Sequence, residues 1–489
     1  VKHVISAGDF TRAYIEDVLL SAESMRPIWM SRKPRDLVLD IGVVRGLVGE
    51  HSTRTAGSFE RAAQLLGLPC IVTASEGTSL SKGETLGATA RMFAGYNTAA
   101  LFMRTKIEGG ARWVAEMASR HGIKLCVLNA GDGANEHPSQ AYLDLYTIQR
   151  RIGRLDNFRI GIVGDLRLSR TVHSLIRALR LLNGIEIVLV SAPEASLPWW
   201  YTDGMTNVTV ANSLEALVGC DFVYTTRIQR ERFPADGYEY KKVRGRYVID
   251  QTVLEMLGPK TLIMHPLPIG DGEVHPGILR HPQVIVDEQA ANGIPIRMAL
   301  LSMVLACLNE EMSLDTPEPN ITTTRTGSAE EAVARKQAAQ RRFVPISNGT
   351  VLDHLPVGFG QRIQAVLGYD PNEHYIGLDQ GLRPDPESPR VKDTLRLEDI
   401  FLGPRELSTI GVLVPGVTVN EIREGVIAKK KIVGVRQVTG IGHCPNPACV
   451  MNHDAEAALY PHFHVYGEDR SVLSCHYCEQ YFNRDEVLA

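Results

Sequence analysis

The chain has no long hydrophobic run. Its longest nearly apolar stretch, Met298 to Leu308, falls well short of the roughly 20 residues a helix needs to cross a bilayer. The opening segment VKHVISAGDFTRAYIEDVLLSAES lacks the continuous apolar core and small-residue cleavage site of a secretory leader. Neither charge sign is in excess: 52 Lys+Arg stand against 56 Asp+Glu, a net charge of −4, so no global basic field exists to drive nucleic-acid or membrane binding. Cysteine is sparse, and Cys70, Cys126, Cys220 and Cys307 sit in apolar contexts as small hydrophobes, which excludes a disulfide framework along the chain. From these absences a cytoplasmic protein is expected. At 44% hydrophobic and 22% charged it is not disordered, and its 489 residues suggest about three domains on a prior of roughly 150 each.

What is present is ordered along the chain. Tyr14, Ile15, Val18, Leu19 and Ala22 recur at helical spacing after Asp9, which reads as an N-cap. Between about residues 37 and 295, short apolar runs at 69–73, 99–103, 124–128, 159–163, 186–190, 221–225, 261–264 and 283–286 alternate with helical patterns. Continuous apolar strands separated by helices imply parallel sheets covered on both faces, here two α/β lobes divided near His137. Residues 309–342 read as a polar linker running into a charged helix former. Strand-like runs at 343–346, 410–414 and 431–434, with a Gly/Pro-rich loop at 381–389, then indicate an α+β domain.

Three features carry chemistry. In Glu50-His51-Ser52-Thr53-Arg54-Thr55-Ala56-Gly57-Ser58, hydroxyls and free backbone N–H groups at a helix start make an anion cradle, and Arg54 adds a charged fork. Read alone, the segment is equally a plain Ser/Thr cap. The second is the tail, where Cys444-x4-Cys449 and Cys475-x2-Cys478 have tetrathiolate spacing for a structural Zn²⁺. From Gly442 to Ala489 two arginines and no lysine face seven acids, a formal charge of −5, which is the wrong sign for a nucleic-acid reader. The third is a series of polar blocks at intervals: Thr78 to Thr85, Met103-Arg104, Asn129 to Gln140, Val163 to Ser174, Arg227-Ile228-Gln229 and His265-Pro266-Leu267-Pro268.

In their order, these blocks resemble the aspartate/ornithine carbamoyltransferase family over roughly 300 residues. The resemblance implies that Ser52, Thr53, Arg54 and Thr55 hold the phosphate of carbamoyl phosphate. It puts Thr55, Arg104 and His137 on the carbonyl oxygen and Gln140 on the carbamoyl NH2. Arg170, Arg227 and Gln229 would bind L-aspartate, with Leu267 and Pro268 beside the substrates. Ser79 and Lys82 match a loop that in relatives reaches in from the neighbouring subunit of a trimer. Glu50 matches a position that bridges the lobes to arginines, for which Arg170 and Arg232 are candidates. Pro266 stands where ornithine enzymes of the family carry cysteine, which favours aspartate. His51, Ala56 and Ile269 depart from the family's usual residues.

Residues 343–434 resemble the nucleotide-binding domain of the separate regulatory chain of bacterial aspartate carbamoyltransferase. The resemblance implies Asp353 and His354 on base and ribose of an ATP- or CTP-type effector, with Lys392, Arg396 and Lys430 on its phosphates. It gives a fold of two doubly wound parallel-sheet lobes, then an α+β nucleotide-binding domain and a small zinc ribbon. The implied boundaries are a carbamoyl-phosphate lobe over 1–136, an aspartate lobe over 137–312, a linker over 313–342, a regulatory domain over 343–434 and a zinc domain over 435–489. The implied reaction yields N-carbamoyl-L-aspartate and phosphate, a step towards pyrimidines, in a homo-oligomer built from catalytic trimers or a dimer of trimers. A carbamoyltransferase with another amine acceptor and a catalytically decayed regulatory protein remain as alternatives.

Overall fold

The computed structural model describes residues 2–33, 41–49, 53–74, 79–227, 245–270, 273–310, 320–328, 346–369, 374–382, 391–467 and 469–488. The chain divides into two compact units, Val1–Ser313 and Leu314–Ala489.

The first unit holds two parallel sheets. Strands β1 (Val43–Val48), β2 (Cys70–Ala74), β3 (Thr98–Thr105) and β4 (Cys126–Asp132) lie in the order β2-β1-β3-β4. Strands β5 (Arg159–Val163), β6 (Glu186–Val190), β7 (Val208–Ala211), β8 (Phe222–Thr225) and β9 (Leu262–Met264) lie in the order β7-β6-β5-β8-β9. Alternate residues of the second sheet feed two cores: Ile160, Ile162, Ile187, Leu189, Phe222 and Tyr224 join a large cluster with the first sheet, whereas Val163, Val188, Val190 and Val223 pack on the other face with Tyr247, Leu254 and Val274. Burial on both faces is why these strands read as unbroken apolar runs. Helices Arg12–Ser31, Pro138–Ile152 and Gly293–Ala306 contribute Ile15, Tyr142 and Ile296 to the shared core.

Several local expectations need correction. The first long helix is capped by Thr11, whose hydroxyl accepts from Tyr14 N at 3.1 Å, and not by Asp9, which closes a 3-10 turn at Ala7–Asp9. Thr11 wins because it stands three residues before the N–H that needs an acceptor. Residues 283–286 form no strand: Val284 makes an isolated bridge to Ile263, and Val286 starts helix Val286–Ala291. β1 was hidden because Arg45 and Gly46 interrupt its apolar pattern, and β7 because it is a partly exposed strand at the sheet edge.

The second unit begins with an antiparallel sheet in the order β10-β15-β14-β11-β13-β12. Its strands are β10 (Asn320–Ser328), β11 (Gly349–Leu355), β12 (Ile376–Leu382), β13 (Lys392–Glu398), β14 (Thr418–Arg423) and β15 (Val426–Gly434). β10 falls inside the expected linker, and it pairs with β15 from Asn320 to Ser328 with two register shifts. Residues 410–414, expected as a strand, belong largely to helix Pro404–Leu413. Proline in its first turn, Glu406 bonding back to Gly403 N, and buried Leu407, Ile410 and Leu413 at three-residue intervals define that helix. The charged segment 329–342 and the loop 383–390 lie outside the described residues. A second antiparallel sheet follows, β16 (Gln437–Thr439), β17 (His462–Tyr466), β18 (Val472–Cys475) and β19 (Tyr481–Asn483), in sequential order. Among the described residues no helix is long and apolar enough to cross a membrane.

Candidate functional site

In an open parallel sheet, ligands bind beyond the C-terminal strand ends where the strand order reverses. The first sheet reverses between β1 and β3, the second between β5 and β8. The segments leaving those strands line one cavity of about 1020 Å³ in the first unit: Thr53, Arg54 and Thr55 after β1, Arg104 at the end of β3, Ser169, Arg170 and Thr171 after β5, and Thr226 and Arg227 after β8. His137, Gln140, His265, Leu267, Pro268, Gln289 and Arg297 complete much of the wall.

The cradle is held from beneath. Helix Thr53–Leu65 buries Phe59, Ala62, Ala63 and Leu65, and the Phe59 ring stacks on Phe102 of β3 at 4.5 Å and 7°. Gly46 on β1 makes this possible, since a Cβ there would lie 2.2 Å from the Phe102 ring. Arg104 Nη1 then reaches Thr55 Oγ1 at 3.3 Å and the Ala130 carbonyl at 3.4 Å. Arg170 is buried, donates to the Gly133 carbonyl at 3.1 Å and packs on Gly131, where a Cβ would meet its guanidinium at 3.1 Å.

The cavity wall is cationic. Arg54, Arg104, Lys106, Arg170, Arg227 and Arg297 line it, and no carboxylate does among the described residues. Burial holds the His137 imidazole well below its ordinary pKa of 6.5, helped by Arg104, Arg170 and Arg297. His265 is pushed down to about 3 by burial and by Arg54 and Arg227. Both are therefore neutral at physiological pH. His265 Nδ1 accepts from Leu267 N at 2.8 Å, which leaves its N–H on Nε2.

A carboxylate stands one layer back. Asp144 Oδ1 accepts Gln140 Nε2 at 2.9 Å and Gln289 Nε2 at 2.6 Å, and Gln289 Oε1 accepts from His265 N at 2.8 Å. Burial raises Asp144 to about 7 against the pull of those donors.

Of the expected site residues, Thr53, Arg54, Thr55, Arg104, His137, Gln140, Arg170, Arg227, Leu267 and Pro268 meet at this cavity. Ser79 and Lys82 lie in an exposed turn, Ser79–Lys82, and do not line it in this chain. Glu50, His51, Ser52, Gln229 and Arg232 fall outside the described residues. Ile269 is partly buried and packs against the second-lobe core. Sequence reasoning missed Lys106, Thr171, Thr226, Gln289 and Arg297. Arg297 left a trace, a lone cation entering the apolar stretch of helix Gly293–Ala306; it lies 5.0 Å from the Phe59 ring centroid, and burial lowers its pKa to about 10.

On the regulatory sheet, Asp353 accepts Lys392 Nζ at 2.6 Å and Thr394 Oγ1 at 3.2 Å, and His354 Nδ1 lies 3.2 Å from its other oxygen. Arg396 is buried and paired to Asp379 at 3.1 Å. The register puts Asp353, Thr394 and Arg396 on one face and Leu352, Leu395 and Val419 on the other. Lys430, expected with the first group, is directly opposite Val419 and pairs with Glu421 on the far face. Lys429 and Lys431, opposite Asn420 and Thr418, are the lysines that share the Asp353 face. The cause is the turn: Glu424 and Gly425 both have positive φ, 47° and 76°, as a two-residue hairpin turn requires, and this fixes Arg423 opposite Val426.

In the tail, Cys444, Cys449, Cys475 and Cys478 are buried together. Sγ–Sγ separations of 3.6 Å (Cys444–Cys478) and 3.8 Å (Cys449–Cys475) match the roughly 3.8 Å edge of a tetrahedron with Zn–S bonds of about 2.3 Å. Without an ion these thiols are costly to ionise, because the surrounding sulfurs and then burial push the Cys449 thiol far up, and burial does the same to Cys478. A divalent cation offsets that cost, and these four side chains fit Zn²⁺ with no position left open.

Comparison with known proteins covers both units. Residues 2–150 match the carbamoyl-phosphate-binding domain of aspartate/ornithine carbamoyltransferases and 156–304 their Asp/Orn-binding domain. Residues 342–434 match the allosteric domain of the aspartate carbamoyltransferase regulatory chain and 436–488 its metal-binding domain. The aspartate carbamoyltransferase catalytic subunit of Archaeoglobus fulgidus is 41% identical over 307 residues, 62% of this chain and 99% of that protein. That of Methanosarcina acetivorans is 40% identical over 313 residues, 63% of this chain and 98% of that protein. Among solved structures, the catalytic subunit of M. jannaschii aspartate transcarbamoylase aligns with a TM-score of 0.56 at 37% identity, covering 63% of this chain and 99% of that one. The Trypanosoma cruzi aspartate transcarbamoylase bound to carbamoyl aspartate and phosphate aligns with a TM-score of 0.56 at 29% identity, covering 61% and 94%.

Proposed function

Since the chain belongs to the aspartate/ornithine carbamoyltransferase family and continues into both domains of the family's regulatory chain, we propose that its first unit transfers the carbamoyl group of carbamoyl phosphate to L-aspartate and that its second unit regulates the transfer. One observation carries the reading: among the described residues, six cationic side chains and no carboxylate line a cavity of about 1020 Å³. Such a wall suits a phosphorylated substrate beside a dicarboxylate, and ornithine's ammonium would meet no carboxylate among the described lining residues.

The chemistry follows from the donors. Thr53, Arg54 and Thr55, with Ser52, take the phosphate at the helix N-terminus. Arg104, Thr55 and His137 donate to the carbonyl oxygen, which gains charge as the amine attacks. A neutral His137 still has one N–H to give, so it acts as a donor and not as a proton source. With Nε2 committed to Asp144, Gln140 has its Oε1 acceptor left for the carbamoyl NH2. Arg170 and Arg227, with Gln229, hold the aspartate carboxylates by guanidinium forks. No covalent nucleophile is needed. The departing phosphate accepts the amine's proton, and positioning alone is worth about 7–11 kcal/mol.

Lys82 and Ser79, exposed in their own subunit, complete a neighbouring subunit's site in a trimer. Asp353, His354, Lys392 and Arg396 mark the face for an ATP- or CTP-type effector, with Lys429 and Lys431 in place of Lys430. Zn²⁺ on the four cysteines holds the ribbon together and supplies no step of the transfer. A colorimetric assay of carbamoyl-aspartate formation, with ornithine as the control acceptor, tests the reading. Turnover with aspartate alone is expected; turnover with ornithine, or none with either, overturns it.

A further inference from the structure

A second cluster of metal-binding side chains lies in the zinc ribbon, apart from the four thiols. His462 and His464 stand two residues apart on β17, so they project from the same face. His476 is brought to them by the turn after β18, where its backbone N–H donates to the His462 carbonyl at 3.0 Å. The rings pack closely, with centroids of His462 and His476 4.1 Å apart and those of His462 and His464 4.9 Å apart. One ligand atom from each histidine lies within 4.8 Å of the others. We infer that His462, His464 and His476 form a second metal site, for a divalent transition ion of the zinc, nickel or copper class.

Distance, orientation and charge each support this. His464 Nε2 and His476 Nδ1 are 3.0 Å apart. Two imidazole nitrogens bound to one tetrahedral ion at 2.0–2.1 Å would be about 3.4 Å apart, so a small ring displacement converts the present contact into coordination. A ligating histidine needs its other nitrogen anchored. His464 Nδ1 has Gln437 at 3.4 Å, and Gln437 Oε1 is buried with no hydrogen-bond partner. Exchanging the amide's O and N, which are not distinguished by shape, puts that oxygen on Nδ1–H and leaves the Nε2 lone pair for an ion. The three rings are only partly buried, so an ion can reach them, and the surrounding 442–489 segment carries a formal charge of −5. Three neutral nitrogens leave a fourth position open, unlike the closed tetrathiolate. Imidazole suits zinc, nickel and copper, and excludes calcium and magnesium, which prefer oxygen.

The test uses the untagged full-length chain carrying its thiolate zinc. Metal content is measured after exhaustive dialysis, and the protein is then titrated with Co²⁺ alone, read by visible absorption and equilibrium dialysis. One additional equivalent of Co²⁺ is expected, with ligand-field bands but no new sulfur-to-cobalt charge transfer. In His464→Ala and in His462→Ala, uptake of that equivalent should weaken at least tenfold while the thiolate zinc stays in place. A wild-type chain that takes up no second ion, or variants that take it up unchanged, overturns the site. Loss of the thiolate zinc in both variants also overturns it, since the histidines would then be packing residues of the ribbon.

Discussion

Asp144 accepts the side-chain amide of Gln140 at 2.9 Å and thereby decides which end of that amide is left for a ligand. The same oxygen takes Gln289, so one buried carboxyl orients two residues of the cavity wall. Burial outweighs these donors and raises Asp144 from an ordinary 3.8 to about 7. A carboxyl whose folded pKa exceeds its unfolded pKa binds its proton more tightly in the native state. Its contribution is therefore full below about pH 4 and is lost as pH rises to about 7. Asp144→Asn keeps the shape and cannot ionise. In urea melts its stability relative to the wild type should rise by about 2–3 kcal/mol between pH 5 and pH 8. A gap that is constant with pH would contradict the raised carboxyl.

Arg54→Ala should fold normally and lose activity. Removing one charged hydrogen bond of about 1.5–3 kcal/mol predicts a fall in kcat/KM of about 10- to 150-fold. Circular dichroism beside steady-state kinetics checks it; near-normal turnover would remove Arg54 from the phosphate site.

Lys82→Ala and Arg54→Ala chains, each of reduced activity, should recover part of the activity when dissociated, mixed and reassembled, because a shared site can draw one intact residue from each chain. If subunits exchange and no activity returns, Lys82 serves its own chain or none.

The two lysine positions on β15 should separate cleanly. Lys429→Ala and Lys431→Ala should each weaken ATP or CTP binding about two- to fivefold by calorimetry, as exposed charge contacts do. Lys430→Ala loses a partly buried pair with Glu421 and should leave the affinity within error. The reverse pattern would mean that the hairpin register shifts when nucleotide binds.

Removing zinc, or replacing Cys475 by Ser, should unfold the ribbon, because in so small a module metal binding supplies much of the folding free energy. A chain ending at Ser313, the limit of the first compact unit, should still carbamoylate aspartate. If that shorter chain folds and trimerises but is inactive, the division of labour is wrong.

What the sequence disclosed depended on how local the cause was. Thr53, Arg54 and Thr55 were legible as cavity residues because a helix start concentrates hydroxyls and free N–H groups in consecutive residues. The thiolates were legible because metal geometry imposes short spacings on Cys475 and Cys478. Gln289 and Arg297 were not, since nothing beside them in the chain reveals that Asp144 or Phe59 will meet them. Lys430 misled for a related reason. In the run Lys429-Lys430-Lys431 composition is constant and only the turn at Glu424-Gly425 decides which ammonium faces which side. β10 was hidden because its partner, β15, lies about a hundred residues downstream in the sequence.

That added strand bears on how the protein can be divided. By pairing along β15, Asn320–Ser328 occupies a row of backbone donors and acceptors that would otherwise lie open at the sheet margin. A regulatory fragment started at residue 343, where the resemblance to the regulatory chain begins, would expose that margin. Open margins recruit strands from other molecules, so such a fragment is set to associate or precipitate. A fragment begun ahead of Asn320 keeps β15 paired as in the full chain and leaves β10 as the margin, so the two fragments should differ in which strand is open to a partner.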